Sequence, residues 1–205
     1  MGFNSKILYV VVALMILSGC TRTMVTETAF LKWLDDPDNG CVKAISANGF
    51  TMSLKYLPPE YLAYMESIKG DEDIDALQHQ FDSSMTLLFT VVHNKEEVSV
   101  SNYNVPDMVA YRERANVLNF ELRNHLYIKG AGGERIPPVL TTYENTYEVG
   151  GKKSFYVVFP RTQVEGLGEN VVDVVFDDPF MDTGISHFVF NRKALEQIPM
   201  LQFIN

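Results

Sequence analysis

Hydrophobic and polar positions follow two periods along this chain, one helical and one strand-like. Residues 29–35 (AFLKWLD) place Phe30, Leu31, Trp33 and Leu34 at helical spacing, and Pro37-Asp38-Asn39-Gly40 ends that pattern. Residues 41–47 and 50–57 read as two strands around Asn48-Gly49, a pair that tolerates positive φ and marks a hairpin. Pro58-Pro59 stops the second strand and opens a helix striped with Tyr61, Leu62, Met65 and Ile68, which Gly70 ends. Residues 71–75 start another short helix that continues to Phe81. Residues 85–92 (MTLLFTVV) form a continuous apolar run of strand length and predict a central buried strand.

After a polar stretch over 93–104, with a weak strand at 98–100, residues 106–126 predict the longest helix. Met108, Val109, Arg112, Ala115, Leu118 and Leu122 recur there at helical intervals. The remaining pattern is β-like. Residues 126–129, 139–149, 154–160, 171–176 and 186–190 carry β-branched or aromatic residues between glycine-rich turns. The expectation is α+β: one domain over 29–205, an antiparallel β-sandwich or curved sheet with helical insertions.

The N-terminus is different in kind. Lys6 precedes the uncharged run 7–17 (ILYVVVALMIL), then Ser18, Gly19 and Cys20. A cation, a short apolar stretch and small residues are the parts of a secretory signal. The run is well short of the roughly 20 residues that span a bilayer. Leu17-Ser18-Gly19-Cys20 resembles the bacterial lipobox. That resemblance covers the first twenty residues and implies removal of 1–19, diacylglycerol on Cys20, and a polar tether over 20–28. Thr21 is not the Asp that retains such proteins at the inner membrane, so the resemblance implies an outer-membrane position facing the periplasm. Residues 21–28 (TRTMVTET) also lack the acidic cluster associated with surface display in Bacteroidota-type lipoproteins. The general texture of the body is similar to that of envelope lipoproteins of Bacteroidota, without a diagnostic motif.

Composition narrows the function. The chain is 46% hydrophobic and 21% charged, which describes a globular body. Its net charge of −9 and lack of a basic stripe argue against nucleic-acid binding. Lipid on Cys20 would leave Cys41 without an intramolecular partner, so Cys41 is expected as a small buried residue at a strand start.

Several motifs invite chemistry and lack its context. Asp182-Thr183-Gly184 spells the aspartic-protease triplet, but Asp177-Asp178-Pro179 precedes it and the bland reading is a polar turn. Asp177, Asp178 and Asp182 do not match calcium-loop spacing. Gly151-Lys152-Lys153-Ser154 lacks the upstream glycine of a phosphate loop, and Gly166-Leu167-Gly168 lacks the third glycine of a dinucleotide fingerprint. His79, His93, His125 and His187 show no zinc-helix spacing, and Glu113, Glu121, Arg112, Arg114 and Arg123 read as a solvated helix face. Tyr56, Tyr61, Tyr64, Phe155, Tyr156, Phe159, Phe188 and Phe190 read as core or interface first, and as a glycan platform second.

No catalytic, cofactor or metal residues are assigned from sequence; Cys20 is assigned as the lipidation site. The leading expectation is a membrane-anchored envelope lipoprotein, non-enzymatic, that docks on an envelope assembly or a surface polymer through an exposed aromatic patch. The alternatives are a carbohydrate-binding lipoprotein and a hydrolase of envelope polymers using carboxylates such as Asp177, Asp178 and Asp182.

Overall fold

The structure is a computed structural model describing residues 23–70, 73–144 and 151–202. Its centre is the apolar run of the 85–92 region. There β4 (Ser84–His93) pairs antiparallel with β3 (Phe50–Leu57) on one side and β8 (Lys153–Pro160) on the other. β2 (Val42–Ala47) and β7 (Leu140–Tyr143) complete a five-stranded sheet in the order β2-β3-β4-β8-β7. Leu54 lies opposite Phe89, and Phe89 opposite Phe155. Side chains alternate faces along a strand, so Met52, Leu54, Leu87, Phe89, Phe155 and Val157 share one buried face.

A four-stranded sheet covers that face. β9 (Val171–Asp177) pairs antiparallel with β10 (Ile185–Asn191) and with β5 (Leu126–Lys129), whose other edge takes β6 (Arg135–Ile136). Val174 lies opposite both Phe188 and Ile128, so the inward residues of this sheet also align. The Phe89 ring meets Phe176 at 4.8 Å and Phe188 at 6.4 Å across the gap. The fold is therefore α+β, with two antiparallel sheets packed face to face and helices inserted between strands.

The Asn48-Gly49 turn has φ of 47° and 79°, the paired positive values that a two-residue hairpin requires. A side chain at Gly49 would also meet His93 Nε2 at 3.0 Å. α1 (Glu27–Asp35) buries Phe30 and Leu34 as its spacing predicts. α2 (Pro59–Ser67) and α3 (Ile74–Asp82) form the insertion between β3 and β4; α5 (Arg161–Gly166) joins β8 to β9. α6 (Arg192–Glu196) follows β10, and β11 (Met200–Leu201) then pairs parallel with β1 (Met24–Val25).

The strand directions define two ends. At one, Leu57, Ser84, Pro160, Val171 and Asn191 lead into or out of α2, α3, α5 and α6, and Gly40 approaches Ala194 of α6. We call this the helical end. At the other lie Asn48-Gly49, His93, the 178–184 loop and Tyr103, which we call the loop end.

Three expectations change. Within the expected 20–28 tether, 20–22 lie outside the described residues, whereas Met24–Val25 pair with β11 and α1 begins at Glu27. The 106–126 helix starts at Met108, capped by Asp107, whose Oδ1 accepts from Val109 N and Ala110 N at 2.9 Å. It is α4 only over Met108–Asn116; a π turn (Val117–Glu121) and a 3-10 turn (Leu122–Asn124) follow. The wider turn shifts the helical phase, so Leu118 and Leu122 are buried while Met108 and Val109 are each 63% exposed. Asn119 Nδ2 donates to Ala115 O at 2.7 Å, a side-chain bond to the carbonyl one turn back that accompanies this departure. Residues 98–100 form turns rather than a strand, with Val98 N bonded to Lys95 O and Tyr103 N to Ser99 O. Of the 139–149 strand, β7 is seen, and 145–149 lie outside the described residues.

Candidate functional site

The Asp182-Thr183-Gly184 segment lies in the loop between β9 and β10. The Asp178 carboxylate accepts from Phe180 N, Met181 N, Thr183 N and Thr183 Oγ1 at 2.8–3.0 Å. It is thus committed to holding the loop. Asp182 and Gly184 both take positive φ, as turn residues do. Among the described residues, no three His, Cys, Asp or Glu side chains gather to hold a metal. The four histidines sit on α3, β4, the approach to β5 and β10.

Carboxylates do converge elsewhere. A cleft of about 220 Å³ at the helical end is lined by Glu60, Asp82, Glu165, Glu196, Arg161 and Arg192. Tyr56 lies at its base, and its hydroxyl accepts from Arg161 Nη2 at 3.4 Å. Burial pushes the Tyr56 phenol above its ordinary pKa, with Arg161 partly opposing the rise. Both arginines also serve the frame: Arg161 donates to Ser84 O at 3.4 Å and Arg192 to Val164 O at 2.6 Å. Four carboxylates against two guanidinium groups give a field that favours cations over anions. None of the acids named from sequence as hydrolase candidates lines this cleft.

A second cluster joins α1, α2 and β8. Tyr64 Oη donates to Glu27 Oε2 at 2.8 Å, and Tyr156 Oη to Glu144 Oε1 at 3.2 Å. Burial and the adjacent Glu144 push the Tyr156 phenol up to about 12. Tyr61, raised by burial and nearby carboxylates, stacks on Phe30 at 6.2 Å. Tyr61, Tyr64 and Tyr156 are half-buried, whereas Tyr56, Phe155, Phe159, Phe188 and Phe190 belong to the buried core.

The largest exposed aromatic surface was not among the aromatics singled out by sequence. Phe120, on the π turn, is 73% exposed, and Tyr111 on α4 is partly exposed. The π turn packs beside β7, where Val139 and Leu140 are also exposed. Met108 and Val109 add two exposed apolar residues at the start of α4, among exposed Arg112, Glu113 and Asn116.

Arg114 fixes that segment to the loop end. Its guanidinium donates to Val100 O at 3.3 Å, to Phe180 O at 3.5 Å and to Tyr103 O, and lies 4.6 Å above the Phe180 ring. Burial lowers its pKa, and nearby Asp178 opposes the shift. Sequence placed Arg114 on a solvated face with Arg112 and Arg123; only the latter two are exposed. The pairing of an arginine with distant backbone carbonyls leaves no local pattern that could have marked it.

Cys41 is buried immediately before β2 and has no disulfide partner among the described residues. Burial raises its thiol to about 11 despite nearby Lys43 and Lys55, which disfavours the nucleophilic thiolate. Gly151, at φ 69°, approaches Val98 O and Ser99 and leads into β8, while Gly166 ends α5. Neither opens the helix that a phosphate or dinucleotide site needs. Leu17-Ser18-Gly19-Cys20 lies outside the described residues.

No protein family matches the chain, and no curated protein does. Among solved structures, the chain is similar to a Burkholderia pseudomallei K96243 protein described as novel and of unknown function. The likeness has 11% identity and a TM-score of 0.35, and covers 85% of this chain and 94% of that one. At that level it carries no functional argument.

Proposed function

We propose that the chain is a lipid-anchored envelope protein, held in the outer membrane through Cys20, that works by docking a protein partner rather than by catalysis. The anchor rests on the lipobox-like tetrad Leu17–Cys20. The observation that supports docking is that Met108 and Val109 on α4 and Phe120 on the following π turn are each more than 60% exposed. Large exposed apolar residues on one stretch of chain are candidates for an interaction surface. Aromatic residues at such positions commonly anchor a partner's pocket.

The test is crosslinking in intact cells with C-terminally tagged protein, comparing the native chain, Cys20→Ala and Phe120→Asp. A discrete envelope partner captured by the native chain, weakened by Cys20→Ala and lost with Phe120→Asp, supports the reading. Equal capture by native and Phe120→Asp chains, both membrane-bound, would remove the α4 surface from the function.

A second reading, glycan binding, is favoured by the Tyr61, Tyr64 and Tyr156 cluster with Glu27 and Glu144. Phenols beside carboxylates offer a stacking face together with hydroxyl-directed hydrogen bonds. Saturable binding of a soluble peptidoglycan fragment that Tyr61→Ala abolishes would move the function there.

A further inference from the structure

We infer that the β1–β11 clasp, with Met24 and Met200 at its surface, is the face of the protein seated on the lipid bilayer; this rests on the proposed anchor at Cys20. The two methionines are direct partners in the parallel pair, Met24 opposite Met200. They are 60% and 43% exposed, so two flexible apolar side chains stand side by side in solvent. A two-stranded ribbon of two residues per strand gains little from burying its own neighbours, and outward methionines do not contribute to its core.

Chain length supplies the occupant. Cys20 precedes Met24 by four residues, and an extended chain spans at most about 3.6 Å per residue. The Met24 backbone therefore lies within roughly 14 Å of the Cys20 backbone, whatever path those residues take. The expected longer tether would have let the body float free of the membrane. Here Thr23, Met24 and Val25 are bound to β11, which keeps the clasp close to the headgroup layer. Apolar side chains in this zone reach about 5–10 Å into the headgroup–acyl boundary. The acidic body argues against attraction by anionic headgroups, which leaves apolar contact as the local stabilising term. Methionine suits this because its unbranched thioether adapts to an irregular surface.

The same placement orients the molecule. β11 follows α6, which follows the Asn191 end of β10, so the clasp continues from the helical end. The loop end then points away from the bilayer.

Methionine oxidation reads this directly in the native sequence. The lipidated protein is reconstituted in phosphatidylethanolamine–phosphatidylglycerol vesicles and treated with chloramine-T, a charged oxidant, and sulfoxide is followed by peptide mass spectrometry. Met108, on α4 and 63% exposed, serves as the internal reference because its exposure matches that of Met24. The full chain carrying Cys20→Ala, without vesicles, gives the unshielded rates. Expected is similar oxidation of Met24 and Met108 in the Cys20→Ala chain, and slowing of Met24 and Met200 by about fivefold or more in vesicles, with Met108 unchanged, as interfacial burial requires. Equal rates for all three in vesicles, with acyl mass present on the Cys20 peptide, would overturn this inference and leave the anchor standing. An N-terminal peptide without acyl groups would overturn the anchor and this inference together.

Discussion

Replacing Arg114 by alanine should detach the α4 segment from the loop end while leaving the sandwich folded. In the native protein its guanidinium serves the carbonyls of Val100, Tyr103 and Phe180 and covers the Phe180 ring. A hydrogen bond to a charged donor contributes about 1.5–3 kcal/mol, and losing the donor also strands acceptors in partly buried places. Water can reach these half-buried carbonyls once the side chain is shortened, so each loss falls to about 1 kcal/mol at most. The cation–π contact adds about 0.5–1 kcal/mol. The expected cost is therefore about 3 kcal/mol, and urea unfolding should read it as a midpoint lowered by about 1–2 M at a slope of about 2 kcal/mol per M. Arg114→Lys should recover no more than about half, because an ammonium cannot reach the fan of acceptors that a planar guanidinium spans. Hydrogen exchange should show protection lost over residues 108–121 and retained in β3, β4 and β8. A cost below about 0.5 kcal/mol, or full recovery by lysine, would refute the assignment of Arg114 as the fastener.

Two other perturbations test the core. Phe89→Ala removes the ring that contacts both Phe176 and Phe188 across the two sheets, and should cost about 3–5 kcal/mol by calorimetry; a loss under 1 kcal/mol would mean the sheets do not pack through it. Burial raises the Cys41 thiol from 9.0 to about 11, so between those values the unfolded chain has lost a proton that the folded chain keeps. Stability should be unaffected by this thiol below pH 9, then fall with rising pH by up to about 1.4 kcal/mol per unit until the folded thiol ionises, reaching roughly 2–3 kcal/mol. Tyr156, pushed to about 12, acts in the same direction at higher pH. Denaturation curves from pH 8 to 11 for the native and Cys41→Ala chains should diverge in slope over this window; parallel curves would contradict the burial.

The elements read well from sequence are those whose signal is local. Asn48-Gly49 names its own turn because both residues take positive φ, and the 85–92 run has nowhere to be but the middle of a sheet. The alternation in 50–57 and 186–190 likewise set the inward faces, since one strand residue in two must point inward. What escaped depends on contacts distant in sequence. β1 and β11 have two residues each, too few for any period, and exist because the two ends of the body meet. The stripe over 106–126 was real in spacing but broke phase at the π turn, so Met108 and Val109 point outward while Leu118 and Leu122 point in. The acids of the cleft are separated by as many as 136 positions, from Glu60 to Glu196, and no spacing rule joins them. The carboxylates that did attract attention, Asp177, Asp178 and Asp182, cluster in sequence because they build a turn.

The two proposed contacts have a mechanical consequence that separates them. With the clasp on the bilayer, the loop end stands away from it by about the length of β3, whose eight residues span roughly 26 Å. Arg114 ties α4 to that end through the carbonyls of Val100, Tyr103 and Phe180, so partner capture depends on a fastener remote from the anchor. Arg114→Ala should therefore leave the protein in the membrane fraction, keep Met24 and Met200 shielded from oxidant, and lower capture of the crosslinked partner. Phe120→Asp should lower capture as well, but with a smaller stability loss, because Phe120 is largely exposed. If Arg114→Ala instead released Met24 to the oxidant while capture was unchanged, the docking surface would lie at the helical end, and α4 would be a cover for the sheets rather than a contact.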